Sequence, residues 1–347
     1  MSTQTTSTAS AAAAADFLLR DYMAVTRRDQ VLLTADSDTD RQAIDALVAA
    51  CRVIGAQVSV ATMPRLPYQG KLADPYIPDA VVSALSSCDV WVDLTFPYMS
   101  GSEAHAGVTR AGRVRSVNVL DLGADGLARL FSAVDFDDLF VLQDGLDTLI
   151  RDSEGKSCRI TNQAGTEVEF VLAVAKKGKA RRQDVPGTTA PMGSAVILPV
   201  PESVKGTIVV DAVFHEWYTP LRERLTIDVN GPITRIAGGG SDHAIFDRAL
   251  RRAGKGEWGS VIHFSHGFHP GARLAGRSFN EDIRVRGNDA IGFGTPWWQE
   301  GGGENHPDAV CLQHTFVIDG KEIVKDGRVV WPPELAHAEA KLYGETR

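Results

Sequence analysis

The chain has 347 residues, 44% hydrophobic and 23% charged, with a formal net charge of -8. That length is long for one core and sufficient for two, each able to bury most of its apolar surface. The acidic balance argues against nucleic acid or an anionic membrane as partner, because both select basic surfaces; a small molecule is expected instead, and no apolar run approaches the eighteen or so residues of a membrane span.

The opening MSTQTTSTASAAAAA is rich in Ser and Thr, then in Ala, with no basic start. Residues 1–15 are therefore expected to be a disordered leader running into a helix, not a secretion signal. From 16 to 150 two periodicities alternate. Residues 30–35 read as a buried strand, 38–54 as a helix with an Asp at its cap, 57–61 as a strand, 78–86 as a helix, and 89–94 and 115–120 as two further strands. Such alternation predicts an N-terminal α/β domain, a Rossmann-like parallel sheet with helices on its faces. No GxGxxG follows the first strand, so a dinucleotide site has no support.

From 151 to 347 the texture changes to short strands and turns. Strands are expected at 157–161, 167–173, 206–211, 225–229 and 315–318, with hairpin turns at Asn230-Gly231 and Asp319-Gly320. One helix, 241–253, interrupts them. This is the pattern of an α+β domain, mixed and mostly antiparallel. Residues 176–193 are basic, then rich in Pro, Gly and Thr, and read as a lid-like loop. The four cysteines, Cys51, Cys88, Cys158 and Cys311, form no CxxC pair and read as reduced, buried thiols of a cytoplasmic protein.

Eight of the nine histidines lie after residue 210, three of them within Ile262-His263-Phe264-Ser265-His266-Gly267-Phe268-His269-Pro270. Further on, Glu304-Asn305-His306-Pro307-Asp308 places an imidazole and a carboxylate two residues apart around a proline. In an extended segment residues i and i+2 face the same way, so both side chains reach one point. Imidazole and carboxylate together suit Fe(II), Mn(II) or Zn(II). Taken singly, a histidine such as His266 or His269 is more often a packed core or loop residue than a ligand. Arg222 and Arg224 offer themselves to a substrate carboxylate, or to surface ion pairs.

The arrangement IHFSHGFHPGA, followed by HPDAVCL and the hairpin FVIDGKEIVKDGRVV, resembles the carboxy-terminal part of the 2,5-dihydroxypyridine 5,6-dioxygenase family. That family shares a superfamily with metallopeptidases of the aminopeptidase T type. Fainter similarity extends to PESVKGTIVVD, LRERLTIDVNGPI and DVWVDL. The peptidase branch has a glutamate where this chain has His263, a second carboxylate where it reads Gly193-Ser194-Ala195-Val196, and a histidine near Ile291-Gly292-Phe293, where it has none.

The resemblance therefore implies one Fe(II) per chain, held by His263, His306 and Asp308 as a facial triad with open positions. It implies an extradiol-type ring-cleaving dioxygenase of aromatic-compound catabolism. The substrates would be dioxygen and a hydroxylated aromatic or N-heteroaromatic ring such as a dihydroxypyridine. Such chemistry needs proton transfer, for which His105, Glu169, His266 and His269 are candidates; Trp297-Trp298 is a candidate wall for the ring. A homo-oligomer is expected. Two alternatives stay open: a metallo-aminopeptidase or related hydrolase, marked by a second metal, and a metabolite-binding protein with incidental histidines, marked by no tightly bound metal.

Overall fold

A computed structural model describes residues 10–132, 134–173, 182–295 and 306–345. It divides into two compact units, Met1–Val134 with Arg181–Pro191, and Asp135–Ala180 with Met192–Arg347. The boundary expected near 150 thus falls at 134/135. Helix Phe136–Arg151, started by the Asp135 carboxylate accepting from the backbone N–H of Asp137 and Asp138, belongs to the second unit. The junction falls in the short break between helix Ala124–Phe131 and helix Phe136–Arg151.

The first unit is built on a five-stranded parallel sheet in the order Gln57–Met63, Gln30–Asp36, Val90–Asp93, Arg115–Asn118, Gly187–Thr189. The second of these, QVLLTAD, is buried at every position after the first, as expected for a strand covered on both faces. Helix Arg41–Ile54 begins where Asp40 accepts from Gln42 N. The same carboxylate also accepts from Ala124 N at 2.8 Å, so one side chain caps two helices. Two expectations are corrected. Residues 10–22 are helical, and Ala11, Ala14, Ala15, Leu18, Leu19 and Tyr22 are buried, so order begins inside the expected leader. The expected lid loop is partly a strand, Gly187–Thr189, because backbone pairing with Arg115–Asn118 outweighs its Gly/Pro/Thr composition; residues 174–181 lie outside the described residues.

The second unit carries a large antiparallel sheet, and its hub is the strand Lys205–Phe214. The start of this strand pairs with Glu167–Val171, its last residues pair with Asp308–Cys311, and Tyr218–Asn230 folds back along it. Asp308–Cys311 pairs in turn with Asp289–Gly294, and that strand with Ser260–Gly267. Helix His243–Ala253 buries Phe246, whose ring meets Phe293 edge-on at 6.0 Å. No helix among the described residues is long and apolar enough to cross a membrane. All four cysteines are free and buried. Burial pushes the Cys51 and Cys88 thiols up to about 11 and that of Cys158 up to about 12, so they stay protonated.

Two other buried groups make a prediction about acid stability. His266 and His314 are 2% and 0% exposed, with ring centroids 5.0 Å apart, and their ring nitrogens meet no hydrogen-bond partner among the described residues. Burial drives both imidazoles down, that of His314 from 6.5 to about 4. The unfolded chain therefore takes up the proton first as pH falls. The neutral ring's contribution is complete above pH 6.5 and is drained between 6.5 and about 4, by ~3 kcal/mol. Denaturant unfolding of wild type and His314→Leu at pH 7 and pH 4.5 should show a smaller acid loss in the variant. Equal losses would contradict the assignment.

Candidate metal centre

The register of the second sheet brings distant residues into one row. His263 lies opposite Gly292, Gly292 opposite Asp308, and Asp308 opposite Phe214. Directly paired residues project from the same face of a sheet. His263 and Asp308 are thus two strand spacings apart, about 10 Å between backbones, yet His263 Nε2 is 3.1 Å from Asp308 Oδ1. Both side chains lean over the glycine between them. His306, two residues before Asp308 in the extended approach to its strand, faces the same way, and Pro307 O accepts from Phe293 N at 3.0 Å to fix that approach.

The three donor atoms converge. His263 Nε2 and His306 Nε2 are 2.9 Å apart, with the two rings stacked at 5.0 Å, and His306 Nε2 is 3.4 Å from Asp308 Oδ1. All three lie within 4.8 Å of one another. Three lone-pair-bearing atoms meet at such distances only around a shared proton or a cation. Asp308 is 2% exposed. Burial pushes its carboxyl up, but the imidazoles of His306 and His263 outweigh burial and hold it below the ordinary carboxylate range. Two imidazoles and an ionised carboxylate are the donors a borderline divalent transition metal takes, so the residues present fit such an ion.

Gly292 is the floor of the site. A Cβ there would lie 2.3 Å from His263 Nε2 and 2.4 Å from His306 Nε2, inside the space the donors occupy. The glycine is required for space and not for its backbone, which lies outside the left-handed region. Sequence reasoning picks out the three donors but neither Gly292 nor Phe214. The only signal for Gly292 is the missing peptidase histidine near 291–293.

The four proton-transfer candidates lie in different surroundings. His105 is in the first unit, in helix Glu103–Ala111. Its Nε2 is 3.2 Å from Thr188 Oγ1, its ring centroid is 6.1 Å from that of Trp91, and burial lowers its pKa. Glu169 is on the exposed side of its strand, 4.0 Å from Arg159, and opposite Lys205, nine residues or roughly 30 Å of extended chain from Phe214. His266 is three residues beyond His263, so alternation turns it to the opposite face, against His314. His269 is 2% exposed, and its Nδ1 accepts from Gly271 N at 3.1 Å. The second unit therefore brings together His263, His306 and Asp308, and it turns Glu169 and His266 away from them. Arg224 pairs with Asp211 at 2.8 Å on the surface, and Arg222 is exposed. Trp297, Trp298, Glu304 and Asn305 lie outside the described residues.

Gly292→Ala gives a direct check on this geometry. The substitution adds no backbone strain, so the protein should keep its wild-type circular dichroism. Its affinity for a divalent metal should nevertheless fall at least about tenfold, the size of a disturbed ligand shell. Full metal retention after dialysis would show that the donors do not converge over this residue.

Comparison with known proteins bears on this site. The sequence profile of the 2,5-dihydroxypyridine 5,6-dioxygenase family, NicX, matches residues 20–331. The fold is similar to that of 2,5-dihydroxypyridine dioxygenase from Pseudomonas putida KT2440, with a TM-score of 0.74 and 20% identity over 94% of this chain and 99% of that one. It is also similar to wild-type AmpT from Thermus thermophilus, with a TM-score of 0.63 and 10% identity over 92% and 99% of the two chains. No curated protein sequence matches the chain. At such identities the two structures speak to the fold alone, whereas the profile spans most of the chain: this protein belongs to the 2,5-dihydroxypyridine 5,6-dioxygenase family.

Proposed function

We propose that this protein is a mononuclear Fe(II)-dependent dioxygenase that opens the ring of a hydroxylated N-heteroaromatic, with a dihydroxypyridine as the substrate class. The observation that carries the reading is the convergence of His263 Nε2, His306 Nε2 and Asp308 Oδ1 above Gly292. Family membership supports the ring-cleaving activity, and the donor chemistry supports a metal that cycles through electron transfer.

His263 and His306 would hold the metal through Nε2, each contributing a neutral ligand, and Asp308 would contribute the only negative charge. When bound, the metal would supply a meeting place for dioxygen and an anionic substrate oxygen. A single carboxylate leaves a divalent ion with net positive charge, which favours a deprotonated ring hydroxyl. Burial of the Asp308 carboxylate strengthens that attraction by excluding water. Gly292 keeps the space beneath the donors clear. For proton transfer, His269, buried and in the same unit as the donors, stays a proposal; Glu169, on the exposed side of its strand, and His266, on the face opposite the donors, have surroundings that do not support that role.

Oxygen uptake by anaerobically Fe(II)-loaded protein tests the reading, across dihydroxypyridines, hydroquinones and catechols, with amino-acid anilides as the hydrolase control. Uptake is expected with a dihydroxypyridine, and Asp308→Ala should lower it at least about hundredfold, since two remaining ligands hold Fe(II) poorly. Anilide hydrolysis without oxygen uptake would favour the metallo-aminopeptidase reading. Uptake independent of Asp308 would exclude the proposed site.

A further inference from the structure

Strand Ser260–Gly267 carries His263, and strand Asp289–Gly294 carries Gly292. The ladder between them is irregular on both sides of the ligand. Before His263 the register shifts between Val261 and His263. After it, the register of His263 with Gly292 sets Ser265 opposite Ala290, and there both backbone N–H groups donate to side chains. That of Ser265 donates to Asp289 Oδ1 at 2.6 Å, and that of Ala290 donates to Ser265 Oγ at 2.8 Å. Backbone pairing resumes two residues further on, where Gly267 N donates to Asn288 O at 2.8 Å. The rung of His263 and Gly292 thus stands between a bulge and a bridge made of two side chains.

Both bridging residues are buried, Ser265 at 3% and Asp289 at 0% exposed. A buried N–H without an acceptor is destabilising, so the two oxygens are needed where they stand. Asp289 also lies opposite Cys311, three residues beyond Asp308 on the next strand. Its carboxyl group therefore ties the strand of His263 to the pair of strands that carries Gly292 and Asp308. Asp289 Oδ2 has no hydrogen-bond partner among the described residues, and burial disfavours the charged form; an amide is its closest substitute.

His263 Nε2 has to pass over Gly292 and stop 3.1 Å from Asp308 Oδ1. An imidazole side chain has only two torsions, so the place of its backbone decides where that nitrogen stops. We propose that Ser265 and Asp289 are positioning residues for His263: their reciprocal bonds set how the two strands stand at the site, and with it the geometry in which a metal is held. This role presupposes the metal centre proposed above and is read on the bound metal, apart from turnover.

Titration of the metal-free protein with Zn(II) and with Co(II) tests the role, as dissociation constants and, for Co(II), as the visible absorption spectrum. Ser265→Ala and Asp289→Ala each remove one acceptor. Both should weaken Zn(II) binding about ten- to hundredfold, the size of a lost outer contact of a metal site, and should alter the Co(II) spectrum. Asp289→Asn keeps the acceptor oxygen, so it should bind Zn(II) within about twofold of wild type and keep the wild-type Co(II) spectrum. Ile160→Ala is the control for lost stability, since Ile160 is buried on a strand that pairs with neither donor strand. Its melting temperature should fall while its Zn(II) affinity holds. Ser265→Ala removes only a hydroxyl and carries the test if Asp289→Ala does not fold. Wild-type Zn(II) affinity and Co(II) spectrum in the folded alanine variants would overturn the positioning role and leave the metal centre standing. So would a loss of affinity in Ile160→Ala as large as in Ser265→Ala, which would trace the effect to stability. A wild type that binds neither ion would overturn both.

Discussion

The contact between His263 Nε2, His306 Nε2 and Asp308 Oδ1 sets three potential donor atoms close enough to share one proton or one cation. Its existence depends on a constraint that is purely geometric, namely that the residue between the His263 and Asp308 strands has no side chain. Register supplies that constraint. Gly292 faces both ligands across its two hydrogen-bonded edges, and a slip of one residue on either side would send a donor to the opposite face. The bulge between Val261 and His263 adjusts the approach of the first ligand. The ladder that pins Asp308 runs back to the hub strand through Phe214. The site is therefore placed by sheet pairing, which is more exact than placement by loops.

The two faces of these strands carry different burdens. On one, His263, His306 and Asp308 bring their donor atoms together. On the other, His266 and His314 are buried with unpaired nitrogens, and Asp289, 0% exposed, has a carboxyl that burial pushes well above its ordinary range. In all three, burial disfavours the charged form. The acid response of His314 and the metal chemistry of Asp308 follow from the same rule applied to opposite cases. A buried carboxylate beside imidazoles stays charged, and buried imidazoles without a carboxylate partner stay neutral.

Much of the donor cluster is legible in the amino-acid sequence, because its three side chains sit in two short segments. His306 and Asp308 flank a proline at the spacing of one strand face, and His263 heads the histidine-rich segment. Whatever is set by pairing between strands is not legible there. Gly292 and Phe214 join the row only through register. His266, although three residues from His263, is turned to the other face by the pleat, and Glu169 lies a strand length away. The Rossmann-like sheet is legible from its buried apolar runs. The unit boundary is not, because helix Phe136–Arg151 carries the same period wherever it docks, and the return strand Gly187–Thr189 has a loop composition and is held by its neighbour.

The central claim is that three side chains over one glycine hold a single metal ion. Anaerobic calorimetric titration of the metal-free protein with Fe(II) tests it most directly. The account predicts saturation at one equivalent per chain in the wild type and no saturable binding in His306→Ala. A stoichiometry of two, or unaltered binding when His306 is absent, would contradict it.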